Sequence, residues 1–224
     1  MMNQEVLEYV TERLPFWNHL SQSQKDLLIS NAKTTHFSKG QTLHRGDSEC
    51  IGLLFLKKGI LRTYITSDEG KEVTLYRLED NDLCILSASC ILQNIDFDVS
   101  IDAETDCEVI QISSLVFARL SSDNVYVDLF SYQLVSERFS DVMWAFQQIL
   151  FTSFDKRLAA FLLDESLKSE TMEIRMTHEQ IAKYLGTARE VVSRMLKYFS
   201  NEGFVSVSRG GITITDKNRL RAIL

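Results

Sequence analysis

Four polar side chains stand close together near the C-terminal end of the chain, at Arg189, Glu190, Ser193 and Arg194. An arginine can direct two donors at O6 and N7 of guanine, a glutamate can accept from N4 of cytosine, and a serine can contact a base or a phosphate. Their spacing places them on one side of a helix. The set predicts a helix whose outward side can read the edges of base pairs.

The segment 177–205 supplies the elements that must position this set. Thr177 is a suitable N-cap and Gln180 follows three residues later, so a first helix can begin with a capping box. Gly186 suits a tight turn, and Thr187 is the predicted cap of a second helix. The buried side of that helix is predicted at Val191, Val192, Met195, Leu196 and Phe199. The segment therefore predicts a helix-turn-helix whose second helix enters a major groove, with Thr177, Thr187 and Lys197 as further DNA contacts.

A structural interpretation of two of these residues stays open. Glu190 stands three residues after Thr187 and could close a capping box there. Arg194 could pair with Glu190 across one helical turn on a solvated face. The constellation as a whole favours DNA reading over this alternative.

The run GTAREVVSR, from Gly186 to Arg194, resembles the recognition-helix signature of the Crp/Fnr family of bacterial transcription regulators. Arg189, Glu190 and Arg194 match the base-reading positions of the cyclic-AMP-receptor type, and Ser193 matches the Fnr type. The resemblance implies a cytoplasmic homodimer that binds an inverted repeat in double-stranded DNA. From the three charged residues we predict half-sites of the TGTGA kind. We also expect RNA polymerase as a partner.

The rest of the chain agrees with the architecture that this resemblance implies. Glycine-punctuated short strands from Phe37 onward predict a β-roll or jelly roll. A hairpin across Arg209, Gly210 and Gly211 predicts the wing, with Arg209 as a phosphate contact. The predicted fold class is α+β, with an effector-sensing β-roll domain at 1–123, a dimerisation helix and hinge at 124–152, and a winged-helix domain at 153–224.

Charge is divided unevenly between the two halves of the chain. Residues 153–224 carry 12 lysines and arginines against 9 acidic residues, a net charge of +3, while residues 1–152 carry 12 against 22, a net charge of −10. The positive half contains the predicted DNA reader. No apolar run approaches the length of a membrane span and the N-terminus lacks an export signal, so we expect a cytoplasmic protein without a membrane partner.

The predicted effector site departs from nucleotide-binding members of the family. Those members hold the ribose with a Gly-Glu pair and the cyclic phosphate with Arg-Ser or Arg-Thr. Here Ile85 and Leu86 stand at the first pair, and Phe97 and Asp98 at the second. A phenyl ring and a carboxylate offer a phosphate neither cation nor donor. We therefore predict that cyclic AMP is not the effector, and we predict no cofactor.

Two cysteines lie within this departing stretch and leave a second mechanism open. Cys84 and Cys90, with Ser87 and Ser89 between them, are the effector or redox candidates. They could form a reversible disulfide or bind a soft metal or haem. The favoured interpretation is that both are small buried hydrophobes, because six residues is not a metal-knuckle spacing.

The segment 124–150 lacks glycine and proline and predicts a long helix with two apolar stripes. One stripe can face its own domain and the other a twin helix, although a single wide core-facing stripe is the alternative. The sequence does not tell which stripe forms the seam. The candidate dimerisation residues are Leu129, Tyr132, Val135, Phe139, Val142, Met143, Phe146 and Ile149.

The sequence thus predicts a dimeric, effector-controlled, sequence-specific transcription regulator. No P-loop or nucleophile elbow occurs, so we do not expect an enzyme. Two alternatives stay open: a redox or gas sensor that uses Cys84 and Cys90, with DNA binding as its output, and a winged helix that serves as a protein-interaction module. The effector is an unidentified small molecule or redox signal.

Overall fold

The computed structural model describes residues 4–45, 51–85 and 99–224. The chain divides into two compact units. The first comprises Met1–Ile65 and Leu75–Val142, and the second comprises Thr66–Thr74 and Met143–Leu224. Each unit has its own hydrophobic core.

The first unit begins with two helices, α1 (Gln4–Arg13) and α2 (Gln22–Ser30), separated by a short 3₁₀ turn (Trp17–His19). The α2 helix starts with a capping box, in which the Ser21 side chain accepts from the backbone of Gln24 and the Gln24 side chain accepts from the backbone of Ser21. Buried residues of both helices, Val10 and Leu28 among them, enter one core with the β-roll.

In the described part of this domain, eight strands build the β-roll. They are β1 (Ala32–Phe37), β2 (Thr42–His44), β3 (Leu53–Lys58), β4 (Leu61–Thr66), β5 (Glu72–Leu78), β6 (Leu83–Cys84), β7 (Ser100–Ala103) and β8 (Cys107–Ile112). They form two four-stranded sheets, ordered β1-β8-β3-β6 and β2-β7-β4-β5. Apolar side chains of the two sheets, such as Leu56 and Ile101, form a core between them.

Two helices follow the β-roll, α3 (Ser114–Asp123) and the long α4 (Val125–Phe151). The first part of α4 buries Val127, Phe130 and Leu134 in the core that α1 and α2 also enter. None of the helices in the described ranges is long and apolar enough to cross a membrane. The observed α4 agrees with the long helix predicted at 124–150.

The second unit contains α5 (Phe154–Lys168), β9 (Glu173–Ile174), α6 (His178–Leu185), α7 (Arg189–Asn201), β10 (Val205–Ser208), β11 (Gly211–Ile214) and α8 (Lys217–Arg221). The strands form an antiparallel sheet in the order β10-β11-β9. Buried residues of every helix, including Leu162, Ile181, Leu196 and Leu220, pack into one core. This is a helix-turn-helix followed by a β-hairpin wing, as the sequence predicts.

Candidate nucleic-acid interface

The first helix of the helix-turn-helix is fixed at its start by the predicted capping box. Thr177 Oγ1 accepts from the Gln180 backbone N–H at 3.1 Å, and the Thr177 backbone N–H donates to Gln180 Oε1 at 2.8 Å. A serine or threonine hydroxyl that accepts one bond keeps its own proton for donation. Thr177 is exposed, so this hydroxyl remains able to meet a phosphate.

The turn between α6 and α7 depends on Gly186, whose φ of +59° lies in the left-handed region. The backbone N–H of Thr187 then donates to Ala182 O at 3.0 Å, which closes the end of α6. The sequence-based assignment of Thr187 as the cap of α7 is wrong. Ala188 occupies the N-cap position without a side-chain hydrogen bond. Thr187 is still part of the turn, because its backbone N–H bonds back to α6, and α7 begins only after Ala188. Glu190 is therefore the second residue of α7, and the capping box considered for it does not form.

The second helix separates its apolar and polar sides clearly. Val192, Leu196 and Phe199 are buried in the core of the second unit. The opposite side exposes Arg189, Glu190, Arg194 and Lys197. Within the described part of the chain no salt bridge joins Glu190 to Arg194, so the alternative of a solvated ion pair is not realised. These charges are available to an external ligand.

Ser193 differs from its neighbours because its side chain is already engaged. It is half-buried, and its Oγ lies 2.8 Å from Nδ1 of His178, the first residue of α6. Burial, with Arg189 as the second cause, lowers the pKa of His178 below its ordinary value. The sequence does not single out His178. The contact joins residues 15 positions apart, and only the packing of α6 on α7 brings them together.

A segment distant in sequence also contacts the helix-turn-helix. Thr66–Thr74 belongs to the second compact unit. Within it, Glu72 Oε1 lies 2.8 Å from Lys183 Nζ, and Thr74 Oγ1 donates to Lys183 O at 3.3 Å. A Cβ on Gly186 would stand 3.2 Å from a methyl group of Val73. These contacts fix the end of α6 beside the turn, and nothing local in the sequence signals them.

The wing lies immediately after α7. Ser208 pairs with Gly211, and Arg209 and Gly210 form the exposed tip between them. An arginine at such a tip can contact a phosphate. Another cation of this region, Arg219, instead donates from Nη1 to Glu202 O at 2.9 Å and holds the end of α7.

The effector and redox candidates fall in two groups. Cys84 is fully buried in the β-roll core. Ser87, Ser89 and Cys90 lie outside the described residues, as do Leu86, Phe97 and Asp98. Ile85, at the position expected for glycine, is 1% exposed in the core shared with the helices. Among the described residues, no cluster of three or more histidine, cysteine, aspartate or glutamate side chains could hold a metal ion.

Polar groups that the sequence did not single out lie inside the β-roll. Thr63 is fully buried, and Tyr76 is buried with its pKa held well above the usual value, chiefly by desolvation. The Arg138 guanidinium of α4 lies 5.1 Å from the centre of the Tyr76 ring, and its Nη1 donates to Asp141 Oδ2 at 2.9 Å. A cation over an aromatic face is a favourable contact. The contact between Arg138 and Tyr76 therefore joins α4 to the interior of its own β-roll.

One of the two apolar stripes of α4 is exposed along its length. Leu129, Phe139 and Phe146 are 54%, 63% and 53% exposed, and Tyr132 and Met143 are also exposed. Val135 and Val142 are half-buried and pack against cores of the first unit. Ile149 is 40% exposed but lies off the line of the other exposed residues. The candidate dimerisation residues therefore fall into two groups. Leu129, Tyr132, Phe139, Met143 and Phe146 form an exposed stripe, whereas Val135 and Val142 are packed against the protomer's own cores.

The chain combines a β-roll, a long helix and a winged helix-turn-helix whose recognition helix exposes charged side chains. This combination defines a DNA-binding transcription regulator. Comparison with family models gives the same division. Residues 34–124 match the cyclic nucleotide-binding domain, and residues 156–223 match the Crp-like helix-turn-helix domain.

Related proteins support the assignment over nearly the whole chain. A solved structure from Eubacterium rectale, described as a transcriptional regulator of the Crp/Fnr family, is 48% identical with a TM-score of 0.92, covering 95% of this chain and 98% of the other. The cAMP-activated global transcriptional regulator Vfr of Pseudomonas aeruginosa is 24% identical over 81% of this chain and 89% of its own length. The anaerobic regulatory protein of Haemophilus influenzae is 26% identical over 92% of this chain and 82% of its own. The chain belongs to the Crp/Fnr family of transcription regulators, and its predicted fold is confirmed.

Proposed function

We propose that this protein is a homodimeric regulator whose two α7 helices read an inverted repeat in double-stranded DNA. The observation that carries the proposal is the outward face of α7, where Arg189, Glu190 and Arg194 are exposed and form no salt bridge in the described ranges. A protein-binding face would more often expose aromatic or aliphatic groups. The winged-helix interaction module is therefore the weaker interpretation.

The roles of the individual residues follow from their chemistry. Arg189 and Arg194 can each give two parallel hydrogen bonds to guanine, and Glu190 can accept from cytosine N4. Thr177, Lys197 and Arg209 are exposed and suited to phosphates, and Thr187 lies beside the turn. A dimer places its half-sites about one helical turn apart. G·C-containing half-sites of the TGTGA kind are expected.

The exposed stripe of α4 supports the homodimer. Val125, Leu129, Tyr132, Phe139, Met143, Phe146 and Leu150 are all exposed. With the polar Ser136 between Tyr132 and Phe139, the row alternates spacings of four and three residues, as in a coiled-coil seam. Apolar side chains in such a continuous row are costly in water. Their proposed partner is the same row on a second copy of the chain. Val135 and Val142 pack within the protomer and are not part of this proposed seam.

The proposed effector is not cyclic AMP, although the relative Vfr is named as cAMP-activated. Ile85 is an apolar residue buried in the core, and the chain has no arginine between Arg77 and Arg119. Arg77 is itself held 3.1 Å from Glu104. Isothermal titration of cyclic AMP into the protein should show no binding at micromolar concentration, whereas a micromolar dissociation constant would overturn this part of the proposal.

A redox signal through Cys84 and Cys90 is the second candidate. Reactive thiols are accessible and of lowered pKa, and the complete burial of Cys84 fits the small hydrophobe better. A thiol count before and after mild oxidant, or a visible absorption band, would support the sensor. An unchanged count would direct the search to small molecules.

Selection of bound sequences from random duplex DNA tests the function as a whole. It is run with and without a thiol oxidant, using the full chain. An inverted repeat with G·C-containing half-sites supports the proposed reader, and its appearance in only one redox state would assign the signal to the cysteines. Failure to enrich any sequence in either state, by a dimer that still binds DNA, would contradict it.

A further inference from the structure

His178 does not belong to the predicted DNA-reading set, yet it touches one of its members. Its Nδ1 lies 2.8 Å from Ser193 Oγ, a normal hydrogen-bond length. Ser193 stands one helical turn after Arg189 and one before Lys197, so it lies within the row of exposed charges on α7. A residue of the first helix therefore reaches a group of the second helix that would meet DNA.

The backbone that carries His178 is held firmly. His178 follows the N-cap residue Thr177, whose two bonds with Gln180 close the first turn of α6. Ile181 and Ala182 on the same helix are buried in the core of the unit. The imidazole therefore starts from a fixed position, and its distance to Ser193 is set by the packing of α6 against α7.

The hydrogen bond limits what Ser193 can offer to a base. A serine hydroxyl has one proton to donate and two lone pairs to accept with, and it normally rotates to suit its partner. If Nδ1 accepts, the proton of Ser193 is used and only lone pairs face outward. If Nδ1 carries the proton and donates, the proton of Ser193 remains available.

The two cases select different bases. A serine whose proton is used can only accept, which suits the amino groups of cytosine or adenine. A serine that accepts from Nδ1 keeps its proton and one lone pair, so it can donate to guanine O6 and N7 or to thymine O4. Without His178 the Ser193 hydroxyl would rotate freely and could either donate to a base or accept from one. With Nδ1 as acceptor, the histidine restricts Ser193 to accepting; with Nδ1 as donor, it restricts the directions in which the remaining proton and lone pair can point.

We propose that His178 is a specificity-determining residue of this regulator, which orients the Ser193 hydroxyl and so sets the base preference at one position of each half-site. The inference rests on the proposed function, because it requires α7 to read bases. It adds a positioning residue from α6 to the reading set, and it predicts that the two side chains act as one unit.

The test is sequence selection by the full-length wild-type protein and four variants: Ser193→Ala, His178→Ala, His178→Asn and the double variant Ser193→Ala/His178→Ala. Asparagine can place an amide group near the position of Nδ1 and renew the bond. His36→Ala is the matched control, since His36 is an exposed histidine on β1 of the other unit. Thermal melting establishes that each variant is folded.

We expect Ser193→Ala and His178→Ala to lose preference, by about fivefold to tenfold, at the same base-pair position. The double variant should lose no more than Ser193→Ala alone, because coupled residues are not additive. His178→Asn should recover most of the preference, and His36→Ala should match wild type. The base class that wild type selects at this position reads out whether Nδ1 accepts or donates.

Two results would overturn the inference. One is a His178→Ala variant that keeps the wild-type preference where Ser193→Ala loses it, and the other is a Ser193→Ala variant that changes no position. In both, wild type still selects an inverted repeat and the proposed function stands. If wild type selects no sequence at all, the proposed function fails as well, so the two failures are distinguished within one experiment.

Discussion

Arg157 Nη1 donates a 2.9 Å hydrogen bond to Leu185 O, the carbonyl of the last residue of α6. Arg157 lies on α5 and is half-buried, and its burial lowers the pKa of the guanidinium. The carbonyls at the end of a helix have no partner within it. A cation from the preceding helix thus stabilises the end of α6 just before the turn that directs the recognition helix.

Replacing Arg157 should therefore destabilise the second unit. Arg157→Met keeps an unbranched stem and removes the donors, which should lower the free energy of unfolding by about 1–3 kcal/mol. Urea unfolding followed by circular dichroism measures the change. The control is the same change at an exposed arginine of α8 in the same unit, Arg221→Met. A more stable Arg157→Met variant would mean that the desolvation of the guanidinium costs more than its hydrogen bond contributes.

The turn itself gives a second prediction through Gly186. An alanine there would hold a left-handed φ of +59° and bring its Cβ 3.2 Å from Val73. The left-handed conformation alone costs a residue with a Cβ about 1–2 kcal/mol. Gly203→Ala is the matched control, because its φ is +75° and the nearest atom to its Cβ would be 4.0 Å away. Denaturation should show a larger loss for Gly186→Ala, and an equal loss would argue against crowding at Val73.

Local signals predicted much of the helix-turn-helix. The capping box of Thr177 with Gln180 and the glycine turn both formed, because each depends on residues within a few positions of one another. The start of α7 was misplaced by one residue, since Ala188 has no side chain that marks a cap. The contacts of His178 with Ser193 and of Glu72 with Lys183 were not predicted. They depend on tertiary packing, which no spacing along the chain encodes.

The structure also distinguishes the two stripes of α4, which the sequence left equivalent. Phe139→Glu places a charge in the middle of the exposed stripe and should turn the proposed dimer into a folded monomer, because the buried side of α4 is untouched. Light scattering after size-exclusion chromatography measures the mass. Gln133→Glu, an equal change of charge at an exposed position outside the stripe, should remain dimeric.

Val135 provides the complementary variant. It packs against the core of the first unit, so Val135→Ala should lower the melting temperature and leave the mass of the proposed dimer unchanged. A monomeric Val135→Ala variant with an unaltered melting temperature would move the seam to the other stripe.

The stability of the protein should depend on pH through His178. Burial lowers its pKa in the folded state below the ordinary 6.5, with Arg189 contributing. The unfolded chain therefore takes up a proton first as the pH falls. Stability should decline from about pH 7 downward through the ordinary pKa, and the decline should end once the folded state is protonated as well. Urea unfolding between pH 7.5 and pH 5 should show a shallower slope for His178→Asn than for wild type, and equal slopes would remove His178 as a cause.

The exposed cations of α7 should affect DNA binding in two different ways. Arg194→Ala removes a group suited to guanine and should weaken binding to the selected site by about 1–3 kcal/mol, with little change on random DNA. Lys197→Ala removes a group suited to phosphate, so it should weaken binding to both DNAs about equally and reduce the slope of log affinity against log salt by about 1.

Arg221→Ala is the control for both changes, since Arg221 is an exposed arginine of α8 outside the recognition helix. Fluorescence anisotropy with the selected duplex and a scrambled duplex, over a series of salt concentrations, separates the two effects. If Arg194→Ala weakened both duplexes equally, Arg194 would be a phosphate contact, and the base preference would have to come from Arg189, Glu190 and Ser193.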